Sequence, residues 1–236
     1  MKVTLIIPMY NESKIIEETA RILSDYMQSH FEDYEILFSN DGSKDDCGQK
    51  VEALQLPQVR VTGYAQNRGK GCAIRTAVLE SKGDFVMFTD ADLAYGTDVI
   101  REAYDRLTDS KAGMLIGSRN LGKDGYEGYT ALRKLMSKLY IRVLCFVGGF
   151  RLSDSQCGCK AFQGDLARDI FARCQVDGFA FDFEAILWAQ KLGVSIVEMP
   201  VRIINHRESS IHIIRDTLRM LRDLRKIKKS VRKAQI

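Results

Sequence analysis

The sequence predicts an α/β domain with a mostly parallel central sheet covered by helices on both faces. Two observations point there. Apolar runs alternate with helical patterns through the first half of the chain, and near-continuous apolar runs are the mark of strands buried on both sides. Polar clusters follow three of those runs, and in open parallel sheets ligands bind beyond the carboxyl ends of the strands.

The expected strands are Val3–Pro8, Glu35–Ser39, Val59–Tyr64, Asp84–Thr89 and Gly113–Gly117. Helical periodicity lies between them, over Ser13–Gln28, Asp45–Leu54, Gly71–Lys82 and Thr97–Thr108. The second half is less regular. Tyr129–Phe146 reads as an amphipathic helix, Leu166–Cys174 and Phe181–Lys191 as further helices, and Val194–Ile203 as a strand interrupted by Pro200. Ile211–Arg232 reads as a long basic helix. No linker, repeat or low-complexity segment interrupts 236 residues that contain only three prolines, so a single domain is expected over 1–236.

Net charge is +4, but nine Lys/Arg and two Asp/Glu fall between Ile211 and Ile236, leaving the rest of the chain at −3. A basic tail on a mildly acidic body points to an anionic surface rather than to nucleic acid, since no groove-reading motif accompanies it. The six cysteines have no zinc-site or disulfide-scaffold spacing, so reduced thiols and a cytoplasmic address are expected. No apolar run approaches the roughly 18 residues of a membrane span, and Val3–Pro8 is too short for a signal peptide.

Asp90-Ala91-Asp92 carries the clearest chemistry. Two carboxylates one residue apart, just past a buried strand, converge on one hard cation if the chain turns there, and Mg²⁺ or Mn²⁺ would share them with substrate phosphates. Asn40–Asp45 reads either as a turn with a helix cap or as a carboxylate that accepts hydrogen bonds from a base or ribose. Gln66–Gly71 opens a helix with two glycines and two cations, which suits a phosphate, yet it matches neither a Walker loop nor G-x-G-x-x-G. The planar forks of Arg119 and Arg133 match phosphate oxygens. Lys160 and Arg207 are weaker candidates for the same task, and Trp188 reads as core.

Seven stretches, in order, resemble the family-2 glycosyltransferases of the GT-A fold: IIPMYNE (Ile6–Glu12), NDGSKD (Asn40–Asp45), NRGKGCAIRTA (Asn67–Ala77), TDADL (Thr89–Leu93), IGSR (Ile116–Arg119), DSQCGCKAF (Asp154–Phe162) and FAFDFE (Phe179–Glu184). The likeness is greatest to the branch that glycosylates dolichyl and polyprenyl phosphates. It implies a nucleotide-sugar half at 1–120, an acceptor half at 121–210 and a basic amphipathic helix at 211–236. Pro8, Tyr10, Asn11, Glu12 and Asp41 would hold the nucleotide, with Asn67, Lys70 and Ala91 near the donor. Asp90 and Asp92 would hold metal and diphosphate, Asp92 acting in catalysis with Arg119 and Arg133. Arg119, Arg133, Ser137, Lys160 and Arg207 would meet the acceptor phosphate. Mannose synthases of that branch often carry a Gln as extra metal ligand where this chain has Ala94, a departure that tilts the donor toward UDP-glucose. The implied reaction is inverting transfer of a hexose to a polyprenyl phosphate at a membrane surface, reached by the C-terminal helix, by the 129–146 helix or through a membrane-protein partner. The same fold acting on a hydroxyl would need a general base, for which Asp182 and Glu184 are the candidates. A non-catalytic nucleotide- or lipid-binding module is the reading of another class.

Overall fold

Each central strand is apolar on both faces, and the structure shows why. In a computed structural model, which describes residues 1–122, 124–126, 128–205 and 224–235, Leu5 and Ile7 of β1 (Val3–Met9) enter one core and Ile6 the other. The same alternation runs through Ile36, Phe38 and Leu37 of β2 (Tyr34–Asp41) and through Phe85, Met87, Val86 and Phe88 of β4 (Phe85–Phe88). Successive side chains of a strand point to opposite faces, so a sheet covered twice is mostly apolar on both, and its few buried polar side chains are hydrogen-bonded, as Thr4 is to Glu35 at 2.7 Å.

α1 (Ile16–His30), α2 (Cys47–Ala53) and α4 (Asp98–Asp109) cover the first face, burying Ile16, Leu23, Met27, Val51, Ile100 and Leu107. α3 (Lys70–Glu80), α6 (Gly164–Arg173) and α7 (Phe181–Lys191) cover the second with Ile74, Val78, Ile170, Phe171, Phe183 and Ile186. Burying each such side chain contributes about 1.5–3 kcal/mol. α5 (Ala131–Gly148) lies over the second face through Leu144.

With β3 (Val59–Tyr64), β5 (Met114–Ser118), β6 (Lys160–Gln163) and β7 (Ile196–Pro200), the sheet has seven strands in the order β3-β2-β1-β4-β6-β5-β7. All pairings are parallel except those of β6, which runs against β4 and β5. β2, β1 and β4 are neighbours, with Met9 opposite Asn40 and Ile6 opposite Phe88. The three polar clusters that follow these strands therefore share one edge. Pro8 sits in β1 opposite Ser39, beyond the last rung to β4, where its missing N–H removes no bond on that side.

Three expectations need correction. β6 was not anticipated, because its four residues sit inside a motif and show no run long enough to register as a strand. α1 starts three residues later than its periodicity suggests, because Ile15 and Ile16 donate their N–H groups to the Glu12 carbonyl in a turn. Pro200 ends β7 rather than interrupting a longer strand. The basic C-terminal segment is described only from residue 224. There Leu224, Ile227 and Val231 are buried in the second core, and Lys191 donates to the carbonyls of Val231 and Ala234. The apolar side of this part of the helix is thus packed on the body and is not available to a bilayer.

Candidate active site

The loops at the shared edge are laced together by their own polar groups. Asn11 lies in the left-handed region (φ 56°) directly after β1. Its side-chain oxygen accepts from the Lys44 N–H at 2.8 Å, and its N–H donates to Ser43 Oγ at 3.0 Å. Asp45 accepts from Ser13 N–H at 2.9 Å; burial raises its carboxyl, but this bond and those from Cys47 outweigh it and leave the pKa lowered. Tyr10 is exposed at the mouth of the edge, and Glu12 anchors the start of α1.

Asp41, at the end of β2, organises the next loop. It is buried, and its carboxylate accepts from Tyr64 O–H (2.6 Å), Asn67 Nδ2 (2.8 Å), Arg68 N–H (2.9 Å) and Gly69 N–H (2.9 Å). The segment Asn67–Gly69 that leads into α3 therefore hangs from one carboxylate. Gly42 makes this possible: its φ is +63°, and a Cβ there would lie 2.5 Å from the backbone of Gln66 and Asn67.

Asp90 and Asp92 follow β4 on a turn closed by Leu93 N–H to Asp90 O (3.1 Å). Ala91 between them is buried in the first core, and its carbonyl accepts from Thr19 O–H at 2.8 Å. The middle residue thus fixes the turn from inside while both carboxylates project at the edge. Asp92 accepts from Ala94 N–H at 3.1 Å; burial first, and the charge of Asp90 second, raise its pKa. Asp90 accepts from the ammonium of Lys70, the first residue of α3. Burial pulls that ammonium down, but Asp90 above all, with Asp182 and Asp92, more than offsets it and raises its pKa.

The loop before β6 closes over the pair. A Cβ on Gly158 would lie 2.1 Å from Asp90 Oδ2, so any larger residue there must push that carboxylate aside. Among the described residues no third His, Cys, Asp or Glu joins the two carboxylates as a metal site. Two carboxylate donors with the remaining positions open to phosphate oxygens and water suit a hard divalent cation and not a soft one. The close cradle at Gly158 keeps one face of Asp90 clear of any side chain.

The acceptor-side expectations fare differently. Arg119, at the end of β5, holds Asp154 in a bidentate pair, Nε to Oδ2 at 2.6 Å and Nη2 to Oδ1 at 3.0 Å. Its side chain is 12% exposed and that of Asp154 is 0% exposed, so the fork is turned onto a protein carboxylate. Its guanidinium also lies 5.3 Å from the centre of the Tyr126 ring, and the Tyr126 hydroxyl is 3.2 Å from Ser137 Oγ on α5. Arg119, Tyr126 and Ser137 thus form one chain of contacts.

Lys160 is fully buried in β6, bonded to the Cys157 carbonyl at 2.6 Å and to Asp182 at 2.7 Å. It is a structural cation and offers no surface to an acceptor, a correction to its sequence assignment. Asp182 and Glu184 are buried, and burial raises the pKa of each. Asp182 faces Lys160, while Glu184 accepts the N–H groups of Gln175 (2.9 Å) and Val176 (2.8 Å). The Arg133 side chain and Arg207 lie outside the described residues.

A family model described as glycosyl transferase family 2 matches residues 4–171. The chain belongs to that family. Among the curated relatives of this family-2 chain, a dolichyl-phosphate β-glucosyltransferase of Trichomonas vaginalis is 32% identical over 210 residues, 84% of this chain and 62% of that protein. A second from the same organism is 30% identical, covering 95% and 72%. The dolichyl-phosphate β-glucosyltransferase of Saccharomyces cerevisiae is 27% identical, covering 94% and 72%. The chain spans about three fifths of the first of these and rather more of the others. Among solved structures, glucosyl-3-phosphoglycerate synthase of Mycobacterium tuberculosis with Mn²⁺, UDP and phosphoglyceric acid superposes with TM-score 0.71 at 17% identity, covering 100% of this chain and 80% of that one. The same enzyme with Mn²⁺, UDP-glucose and glycerol 3-phosphate gives 0.68 at 19% identity, covering 98% and 79%. That likeness shows the GT-A fold.

Several residues that shape this family-2 site escaped sequence reasoning. Asn205 donates to the carbonyls of Asp92 (3.3 Å) and Leu93 (3.0 Å), and Ile204 N–H to that of Ala94 (2.8 Å), pinning the Asp90–Asp92 turn from more than a hundred residues away. Asp177 binds both Arg68 (2.9 Å) and Arg75, and its carbonyl accepts from Cys72 N–H at 3.1 Å. Neither residue sits in a motif, and no local spacing reports contacts of this range.

Proposed function

We propose that the chain is an inverting transferase that moves glucose from UDP-glucose to a polyprenyl phosphate, with Mg²⁺ or Mn²⁺ between the Asp90–Asp92 pair and the diphosphate of the donor. The observation that carries this reading is the convergence of Asp90, Asp92 and Lys70 at the carboxyl edge of β4. Two oxygen ligands and one ammonium suit a nucleoside diphosphate. The cation would supply charge that stabilises the departing diphosphate as the bond to the sugar C1 breaks. Tyr10 and the Asn11–Glu12 turn lie where a base and ribose would sit, beside the Asp41 loop.

The acceptor follows from what the site lacks. A phosphate monoester has a second pKa near ~6, so at neutral pH its oxygen attacks C1 without losing a proton. A hydroxyl acceptor needs a base, and both carboxylates considered for that role are engaged elsewhere, Asp182 with Lys160 and Glu184 with backbone N–H groups. The relatives named as dolichyl-phosphate enzymes support the same choice.

A lipid acceptor requires the site to approach a membrane, and no helix among the described residues is long and apolar enough to cross one. α5 offers the surface. Leu132, Leu135, Met136, Leu139 and Phe146 are exposed along it, Phe146 by 88%, at steps of three, four and seven that make one stripe. Lys138 and Arg142 are exposed beside it. We assign α5 as the segment that rests in the headgroup region, with Ser137 on the same helix bringing the acceptor phosphate toward the Arg119 side of the site.

The test is to incubate the protein with a panel of UDP- and GDP-sugars and a polyprenyl phosphate and weigh the lipid product. A hexose added from UDP-glucose is expected. Transfer only to a hydroxyl acceptor would replace this reading with the glycolipid one, and nucleotide binding without any turnover would replace it with a binding module.

A further inference from the structure

We propose that Lys70 is a resident counter-ion that stands in for the metal at Asp90, and that it crosses to the diphosphate of the donor when cation and nucleotide bind together. This rests on the metal assignment just made.

The Lys70 ammonium is paired directly with one carboxylate, Asp90. It also feels the fields of Asp182 and Asp92. Asp182 has a cation of its own in Lys160, at 2.7 Å. Asp90 and Asp92 are left sharing Lys70, and Glu12 adds a further negative field at Asp92, so the site is net negative without metal. Adding a divalent cation while Lys70 stays would set two cations against the one Asp90 carboxylate, a repulsion that a diphosphate relieves by taking up the ammonium. Cation alone therefore meets an ammonium already placed on its ligand, and nucleotide alone meets two carboxylates. Each makes the site favourable for the other, and such coupling is reciprocal.

The backbone beneath Lys70 is anchored. Gly69 is at φ +119°, a Cβ there would clash with the Asp177 carbonyl oxygen at 2.6 Å, and its N–H is held by Asp41. The exchange is thus a rotation of one long side chain about a fixed Cα. Lys70 is also the first residue of α3, at the end of a helix dipole that favours an anion. That end of the helix repels the ammonium and attracts the diphosphate, so Lys70 has reason to leave Asp90 only once the diphosphate is there to receive it.

The experiment titrates Mn²⁺ into the full chain, reading free Mn²⁺ by its EPR signal, with and without UDP. Lys70→Met keeps the length and removes the charge; Lys70→Gln is a second neutral variant should the first not fold; Lys70→Arg keeps the charge. Wild type is expected to bind Mn²⁺ weakly alone and more tightly with UDP. Both neutral variants should bind Mn²⁺ alone about fivefold or more tighter, with a smaller further gain from UDP, and Lys70→Arg should resemble wild type. A purely structural lysine would not make metal binding tighter when removed. If the folded neutral variants bind Mn²⁺ alone no better than wild type, the counter-ion role is overturned. Asp92→Asn separates the two readings: its loss of Mn²⁺ binding supports the metal assignment whatever Lys70 does, and unchanged binding there would sink both.

Discussion

Single residues in this site differ in what they are for, and substitutions should sort them. Asp92→Asn removes one carboxylate of the proposed metal pair without touching the core, so turnover should fall on the order of 10²-fold or more while the melting temperature holds. Full activity of the wild type in excess chelator would contradict the assignment. Gly158→Ala should resemble it, because the added methyl must push Asp90 aside. Asp41→Ala should act on stability. It strands the part-buried Arg68 and Gly69 N–H groups at about 1 kcal/mol each, for a fall in melting temperature of roughly 4–8 °C in a chain of this size. Arg119→Ala leaves Asp154 as an unpaired buried charge, at a cost of about 3–5 kcal/mol. Its loss of activity should therefore come with a loss of folded protein, seen by circular dichroism, and not as a change in acceptor affinity alone.

At the scale of elements, α5 and the C-terminal helix looked alike in the sequence, both amphipathic and both basic. The structure separates them, since Leu224, Ile227 and Val231 are covered while Leu132, Leu135 and Leu139 are not. Leu135→Glu with Leu139→Glu should reduce co-sedimentation with anionic vesicles, at little cost in stability. The attraction should weaken with salt, each nearby cation contributing about 1 kcal/mol. Unchanged binding would move the membrane contact elsewhere. Removing residues 224–235 should instead lower the melting temperature, because it opens the second core. Periodicity made the helices and long strands legible, since both kinds of pattern follow from the faces they bury. β6 was illegible because four residues carry no period, and the roles of Lys160 and Arg119 because a sequence does not show which carboxylate lies across from a cation. The Asp90-Ala91-Asp92 turn was legible because its pattern is local: two carboxylates, one turn, one inward residue.

Over the whole molecule, Asp177 ties the 174–178 segment to Arg68 and Arg75. Burial raises its carboxyl, but the two arginines outweigh that and lower its pKa below the ordinary 3.8. A carboxylate depressed in the folded state contributes stability that is fully present above its unfolded value and is lost as pH falls through its folded one. Wild type should therefore exceed Asp177→Asn in melting temperature from neutral pH down to about 4, and the gap should close below that. A gap that persists unchanged into stronger acid would show that the two arginines do not act through this charge.

The antiparallel β6 has a consequence for how the chain assembles. β3, β2, β1 and β4 are contiguous both in space and in the first ninety residues, so they can pair as soon as they are synthesised. β5 comes next in the chain but has no neighbour among them; both of its partners, β6 and β7, are made later. Until then β4 presents a bare hydrogen-bonding edge, the kind of surface on which chains aggregate. Pulse-labelled hydrogen exchange during refolding should accordingly protect the amides of β1 and β2 before those of β5. Simultaneous protection of β1 and β5 would mean that the sheet forms in one step. The strand that carries the loop over Asp90 is thus also the keystone whose late arrival closes the sheet.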